Sequence, residues 1–198
     1  MNRIRQVSQL MGLAVLLLVL NPDQSVRAQQ VDQPPTYQRG ITISYFGDAL
    51  THPGAVVSVE QSILPGRYQL VFCVNVGGYV HKRNHTALFT NLQIGQRYRF
   101  NSGFYVEQYV GLGYFRSYLN GDGIYEVSNG GAVSRASNGG QGYRMPMVSV
   151  GVGWDLSQGP HARPLRLFVR PTVFWQAPFN GYALPHIALQ TGITKLIP

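Results

Sequence analysis

Charge is scarce in this sequence. Asp, Glu, Lys and Arg together make up 12% of its 198 residues, about half of what a soluble domain carries. Cysteine is nearly missing as well: Cys73 stands alone, so no internal disulfide can form. Small exported domains often depend on disulfides, so stability here must have another source. No apolar run reaches the roughly 20 residues that a membrane-spanning helix needs. That leaves strands, whose hydropathy signal is weak segment by segment.

The N-terminus has the pattern of an export signal. Arg3 and Arg5 precede an apolar run from Leu10 to Leu20, and Val26-Arg27-Ala28 offers a small-residue cleavage site. We assign residues 1–28 to the signal and 29–39 to a short periplasmic segment, with the mature chain starting near Gln29. No Cys follows the apolar run directly, which argues against a lipoprotein. The signal contains Arg3, Arg5, Arg27 and Asp23, so without it the formal charge falls from +8 to +6. Export and the scatter of the basic residues argue against nucleic acid. Anionic lipid headgroups suit them better.

From Gly40 onward the chain reads as period-2 segments with no helical pattern. In Met147 to Leu156 one face carries Val148, Val150, Val152, Trp154 and Leu156, and the other Met147, Ser149, Gly151, Gly153 and Asp155. In Leu165 to Gln176, Leu165, Leu167, Val169, Pro171, Val173 and Trp175 oppose Arg166, Phe168, Arg170, Thr172, Phe174 and Gln176. Gln69 to Val80, Phe104 to Phe115 and His186 to Leu196 follow the same rule. Weaker segments run from Gly40 to Gly47, Ala55 to Leu64 and Thr86 to Gln96. The total is eight strands, several with the 9–11 residues of a tilted membrane-crossing strand. Turn chemistry separates them, as in Leu64-Pro65-Gly66 and Phe179-Asn180-Gly181. One connection is much longer, from Arg116 to Tyr143, and is rich in Gly and Asn. It joins the fifth strand to the sixth. With both termini periplasmic it faces outward, where long loops are expected.

Face composition separates a membrane barrel from a soluble one. The polar face holds mostly Gly, Ser, Thr, Asn and Gln, where a solvated sheet would carry Lys and Glu. Small polar groups suit the interior of an eight-stranded barrel, which is just wide enough for side chains to fill. No Lys or Arg interrupts the middle of an apolar face, where it would cost about 2–4 kcal/mol in lipid. Trp154 falls at one boundary and Tyr45, Tyr114 and Trp175 at the other, as two aromatic girdles. Pro171 lies within a strand, and a local bulge is expected there.

With Gly111-Leu112-Gly113-Tyr114, Gly151-Val152-Gly153-Trp154 and this strand rhythm, residues Gly40 to Leu196 resemble the small eight-stranded outer-membrane barrels of the OmpA membrane domain, OmpX and OmpW. The chain also resembles an exported barrel family marked by Tyr45-Phe46-Gly47, Thr51-His52-Pro53-Gly54 and His81-Lys82-Arg83-Asn84-His85, a resemblance that carries no chemistry. The implied fold is all-β, an antiparallel up-and-down transmembrane barrel over residues 40–198. The implied partners are outer-membrane lipid, lipopolysaccharide and the barrel-assembly machinery. Such barrels usually end in an aromatic residue, whereas this sequence ends Leu196-Ile197-Pro198.

Parity places five charges inside: Glu60, Glu107, Asp155, Arg166 and Arg170. Isolated charges in a narrow lumen are costly, so pairing is expected. The set can act as an ionic plug or as a polar gate, and the narrow bore favours the plug. His81 and His85 flank Lys82-Arg83-Asn84 on an outward connection. Cations between two histidines disfavour a metal, so His81, Lys82, Arg83 and His85 are read as outer-loop contacts. No cofactor or metal is expected. A lipid-modifying enzyme would need a Ser or Thr beside a His base. Only His85-Thr86, and His52 with Asp48 or Ser58, offer materials, and neither forms a motif. A structural or surface-interaction barrel is therefore preferred over an outer-membrane lipid A deacylase or acyltransferase, and over a soluble exported barrel binding a hydrophobic ligand.

Overall fold

The structure is a computed structural model that describes residues 39–64, 66–121, 125–128, 130–135, 138–157 and 163–197. The export signal expected from the sequence lies outside these residues. Eight long strands form the barrel: β1 (Arg39–Asp48), β2 (Gly54–Ser62), β3 (Tyr68–His81), β4 (His85–Arg99), β5 (Phe104–Leu119), β8 (Gln141–Asp155), β9 (Leu165–Phe179) and β10 (Tyr182–Ile197). A small hairpin, β6 (Tyr125–Val127) and β7 (Val133–Arg135), stands in the connection between β5 and β8.

The strands close in the order β1-β10-β9-β8-β5-β4-β3-β2, each antiparallel to its neighbours. Closure is made by β1 on β10, from Arg39 opposite Ile197 to Asp48 opposite Ala188. A closed ring leaves no free edge. We call the end with Arg39 and Ile197 the base, and the end with the β5–β8 connection the mouth.

Pleating alone sorts the side chains, because neighbours along a strand point to opposite faces. Val150 (58% exposed), Leu112 (61%) and Ile43 (69%) are typical of the outer face. This face is a continuous apolar belt. At the base it ends in Tyr68, Tyr98, Phe104 and Trp154, with the Tyr98 ring 4.9 Å from Phe100 and Phe104 6.1 Å from Trp154. Tyr45 and Tyr114 mark its other rim, and Arg144 lies directly opposite Tyr114. Inside the belt, Gln96 and Gln108 are paired, Nε2 of Gln108 donating to Oε1 of Gln96 at 3.1 Å. Each amide thereby offsets the other's exposure to an apolar surrounding.

Three features differ from the sequence reading. Pro171 causes no bulge. On its β8 side the offset is the same at Ser149–Thr172 and at Val152–Val169, and the rungs between them are missing. On its other side it pairs in register with Leu189. The absent N–H removes hydrogen bonds without inserting a residue. The long loop is shorter than expected, because β5 runs on to Leu119 and β8 starts at Gln141. Finally, the interior is not uniformly small and polar. Its mouth half holds a packed aromatic cluster of Phe46, Tyr79, Phe89, Phe115, Tyr143 and Phe174 with Met145.

Candidate functional site

The base half of the lumen holds the charges. Going around the ring, β2 supplies Glu60, β4 supplies Arg97 and Arg99, β5 supplies Glu107, β8 supplies Asp155, and β9 supplies Arg166 and Arg170. Each sits at an inward position because its strand alternates without interruption. The structure brings Glu60, Glu107, Asp155, Arg166 and Arg170 into one network, to which Arg97 is central.

Arg97 grips Glu60 with two parallel hydrogen bonds, Nη1 to Oε1 at 3.2 Å and Nη2 to Oε2 at 3.0 Å. Its Nε donates to Glu107 Oε2 at 2.9 Å, and Nη2 also donates to the Tyr109 hydroxyl at 3.1 Å. Arg170 donates to Glu107 Oε1 from Nε at 3.0 Å and from Nη2 at 2.6 Å. Arg166 reaches Glu60 Oε1 at 2.7 Å and Asp155 Oδ2 at 3.1 Å. Arg99 meets the same Asp155 oxygen at 3.2 Å. Oδ1 of Asp155 accepts from the backbone and the hydroxyl of Ser157.

Several of these bonds bridge strands that are not neighbours. Arg97 to Glu60 spans β3, Arg170 to Glu107 spans β8, and Arg166 to Glu60 spans both β10 and β1. They cross the bore itself. Arg97 is 2% exposed and Arg166 1%. Aromatic rings complete the layer. The Arg170 guanidinium lies 4.4 Å from the Tyr109 ring centre and 4.6 Å from that of Phe168, and Arg97 lies 5.0 Å from Tyr105.

Two glycines make room for these tyrosines. Tyr109 sits directly opposite Gly95, and a Cβ on Gly95 would come within 2.2 Å of its ring. Tyr105 sits opposite Gly153 in the same way, with a contact of 2.4 Å. A ring laid over a cross-strand glycine covers the bare backbone; the Tyr109 hydroxyl then donates to Glu107 Oε2 at 3.1 Å, while that of Tyr105 donates to the Leu167 carbonyl at 3.2 Å.

Between base and mouth lies an uncharged polar layer. Thr42 and Thr194 share a hydrogen bond of 2.7 Å, and Gln190 donates to Ser44 at 2.8 Å. Asn75 and Gln93 both donate to Asn91 Oδ1, at 2.7 and 2.9 Å.

No protein-family model matches the chain, and no curated protein matches it. Among solved structures it is similar to Neisserial surface protein A, at 14% identity and a TM-score of 0.45, over 80% of this chain and 94% of that one. It is also similar to the N-terminal β-barrel domain of Pseudomonas aeruginosa OprF, at 11% identity and a TM-score of 0.43, over 81% and 97%. A third is Ail, the attachment invasion locus protein of Yersinia pestis, at 9% identity and a TM-score of 0.43, over 81% and 96%.

The other sequence-predicted group divides. Lys82 and Arg83 are exposed on the turn between β3 and β4. His81 and His85 are not outer-loop contacts of the same kind. They face each other across the last rung of that hairpin, half-buried over the mouth. Odd parity on β3 and β4 turns them inward, as it does Tyr79 and Ala87. Of the lipid-enzyme materials, His52 does meet Asp48, at 3.7 Å, but the hydroxyls lie elsewhere: that of Thr86 donates to Asn120 at 2.9 Å, and Ser58 is buried inside β2.

Arg97 lies just beyond the Thr86 to Gln96 span that the sequence pattern assigns to the fourth strand. Alternation in fact continues through Ile94, Gln96 and Tyr98 outward and Gly95, Arg97 and Arg99 inward. The signal was there, but Gln96 breaks the apolar stripe that would have revealed it.

Proposed function

We propose that this protein is an outer-membrane β-barrel, exported by an N-terminal signal, with a structural or surface-interaction role and a lumen sealed by side chains. The observation that carries the reading is the contrast between the two faces. The outer face exposes a continuous Val, Leu and Ile belt between aromatic rims, while the inner face buries Glu60, Glu107, Asp155, Arg97, Arg166 and Arg170. In water such a belt would be a large unsatisfied apolar surface. In a bilayer it is the surface expected of a barrel.

The seal rests on the ionic layer. Three carboxylates and four guanidiniums bond across the bore, which supports a closed lumen at their level. Mouth loops with exposed Lys82, Arg83 and the β6–β7 hairpin are then the parts available for recognition, with lipopolysaccharide phosphates as natural contacts for the two cations. Insertion would proceed through the barrel-assembly machinery.

Two measurements test the reading. The native protein should resist extraction by salt and carbonate, leave the membrane only in detergent, and migrate differently before and after heating. Release without detergent would reject the membrane placement. In planar bilayers the purified protein should give no steady conductance. Sizeable, long-lived channels would reject the seal.

A further inference from the structure

Four of the chain's five histidines meet at the mouth. His52 comes from the loop after β1, His81 from the end of β3, His85 from the start of β4 and His186 from near the start of β10. Sequence spacing does not foretell this, because ring closure brings them together. The His52 and His81 rings stack at 3.7 Å with planes 22° apart, and His81 lies 5.7 Å from His85. His186 stacks on Phe174 at 4.6 Å, nearly parallel, and His85 meets Tyr79 edge-on at 5.8 Å. His85 and His186 thus pack on the aromatic cluster, and His81 and His52 stack outward from His85 to complete the cap.

One carboxylate, that of Asp48, reaches two of the four. Oδ2 of Asp48 lies 3.4 Å from His186 Nδ1 and 3.7 Å from His52 Nδ1. The other groups facing the cap are the Tyr79 phenol below it and Lys82 and Arg83 on the adjoining turn. Phe115 of β5 and Phe174 and Gln176 of β9 contribute no charge. His52 Nδ1, His81 Nδ1 and His85 Nε2 are buried without a hydrogen-bond partner. The loop that carries His52 is strained: Ala49 and Leu50 both hold left-handed backbone, with φ of 48° and 63°.

We propose that this cap is a proton-operated latch, closed while its imidazoles are neutral and opened when they charge. This deepens the reading of the mouth as the recognition end and rests on it. Protonating the stacked His52 and His81 places two cations ring on ring, next to Lys82 and Arg83. Asp48 can offset only one of the four charges. The repulsion falls on the strained loop after β1 and on the β3–β4 turn, which separate from the aromatic cluster. The ionic layer at the base contains no histidine and stays shut. His85, beyond the Tyr45 and Tyr114 rim, is held below the ordinary imidazole range of 6.5 by burial, with the charges of His81 and His186 pushing the same way. A base whose pKa is lowered by folding binds fewer protons folded than unfolded. Its contribution is therefore complete above about pH 6.5 and is lost as the pH falls through the lowered value.

The test is a titration of the full mature barrel in detergent micelles from about pH 7.5 to about pH 5, followed by NMR of the imidazoles and of the Leu50, His52 and Asn84 amides. Loop amides should move together with the imidazoles, while those of Glu107 and Tyr109 stay fixed. His52→Gln with His81→Gln should abolish the loop transition. Asp48→Asn should shift its midpoint to lower pH, through loss of the carboxylate beside His52 and His186. Static loop amides beside titrating imidazoles would overturn the latch. So would an unchanged transition in the double variant, or an unmoved midpoint in D48N. Heat-modifiable migration at both pH extremes reports the barrel independently of the latch.

Discussion

The two halves of the lumen solve the same packing problem with opposite chemistry. At the base, Arg97, Arg166 and Arg170 interlock with Glu60, Glu107 and Asp155 in bonds that leave almost no choice of geometry. At the mouth, Phe46, Tyr79, Phe89, Phe115, Tyr143 and Phe174 fill a similar bore with rings 5.1 to 6.5 Å apart. The base layer is directional and intolerant, since each buried charge depends on its partners. The mouth layer is non-directional, and its rings can resettle after a change. Rigidity therefore belongs at the base, and adaptability at the end that carries the β5–β8 connection.

Removing one charge at the base tests this contrast most severely. Arg97→Met leaves Glu60 and Glu107 without their shared guanidinium and should cost about 3–5 kcal/mol. Urea titration of the heat-modifiable band in vesicles measures it, and a loss well under that would mean the layer relaxes as the mouth does. Phe174→Ala should cost about 3 kcal/mol by the same assay, at the low end for such a truncation because His186 can settle into the space. In the polar layer between them, Asn75→Ala takes one donor from Asn91 and should cost about 1–2 kcal/mol. Pro171→Val is the smallest change. It restores an N–H to a ladder that already has room for it, on a side chain that faces outward, and should stabilise by about 0.5–1 kcal/mol. Were Pro171 fixing a bend, the same substitution would destabilise.

The sequence made the barrel and its strand parity legible, for a specific physical reason. A pleat has period 2, so one clean strand such as Met147 to Leu156 fixes which residues share a face. Parity alone placed Glu60, Glu107, Asp155, Arg166 and Arg170 on the inner face, where the structure has them. It was less legible where both faces carry similar residues. Tyr45 and Phe46, Leu88 and Phe89, or Tyr114 and Phe115 are neighbours with opposite directions, so the mouth's inward rings look like part of an apolar belt. Arg97 was lost to a misplaced strand end. His52 and His186 lie far apart in sequence and share a site only because β1 closes on β10. At Pro171 a sound local rule gave the wrong outcome: the missing donor was accommodated by two absent rungs, with no added residue.

Everything rests on the apolar belt facing acyl chains. The direct measurement is paramagnetic attenuation of methyl signals in phospholipid nanodiscs, comparing a lipid-soluble nitroxide with a water-soluble one. Methyls of Val150, Leu112 and Ile193 should fade only with the lipid-soluble probe, while Val71 and Ala87 inside the barrel should respond to neither. Attenuation of Val150 and Leu112 by the water-soluble probe would contradict the account.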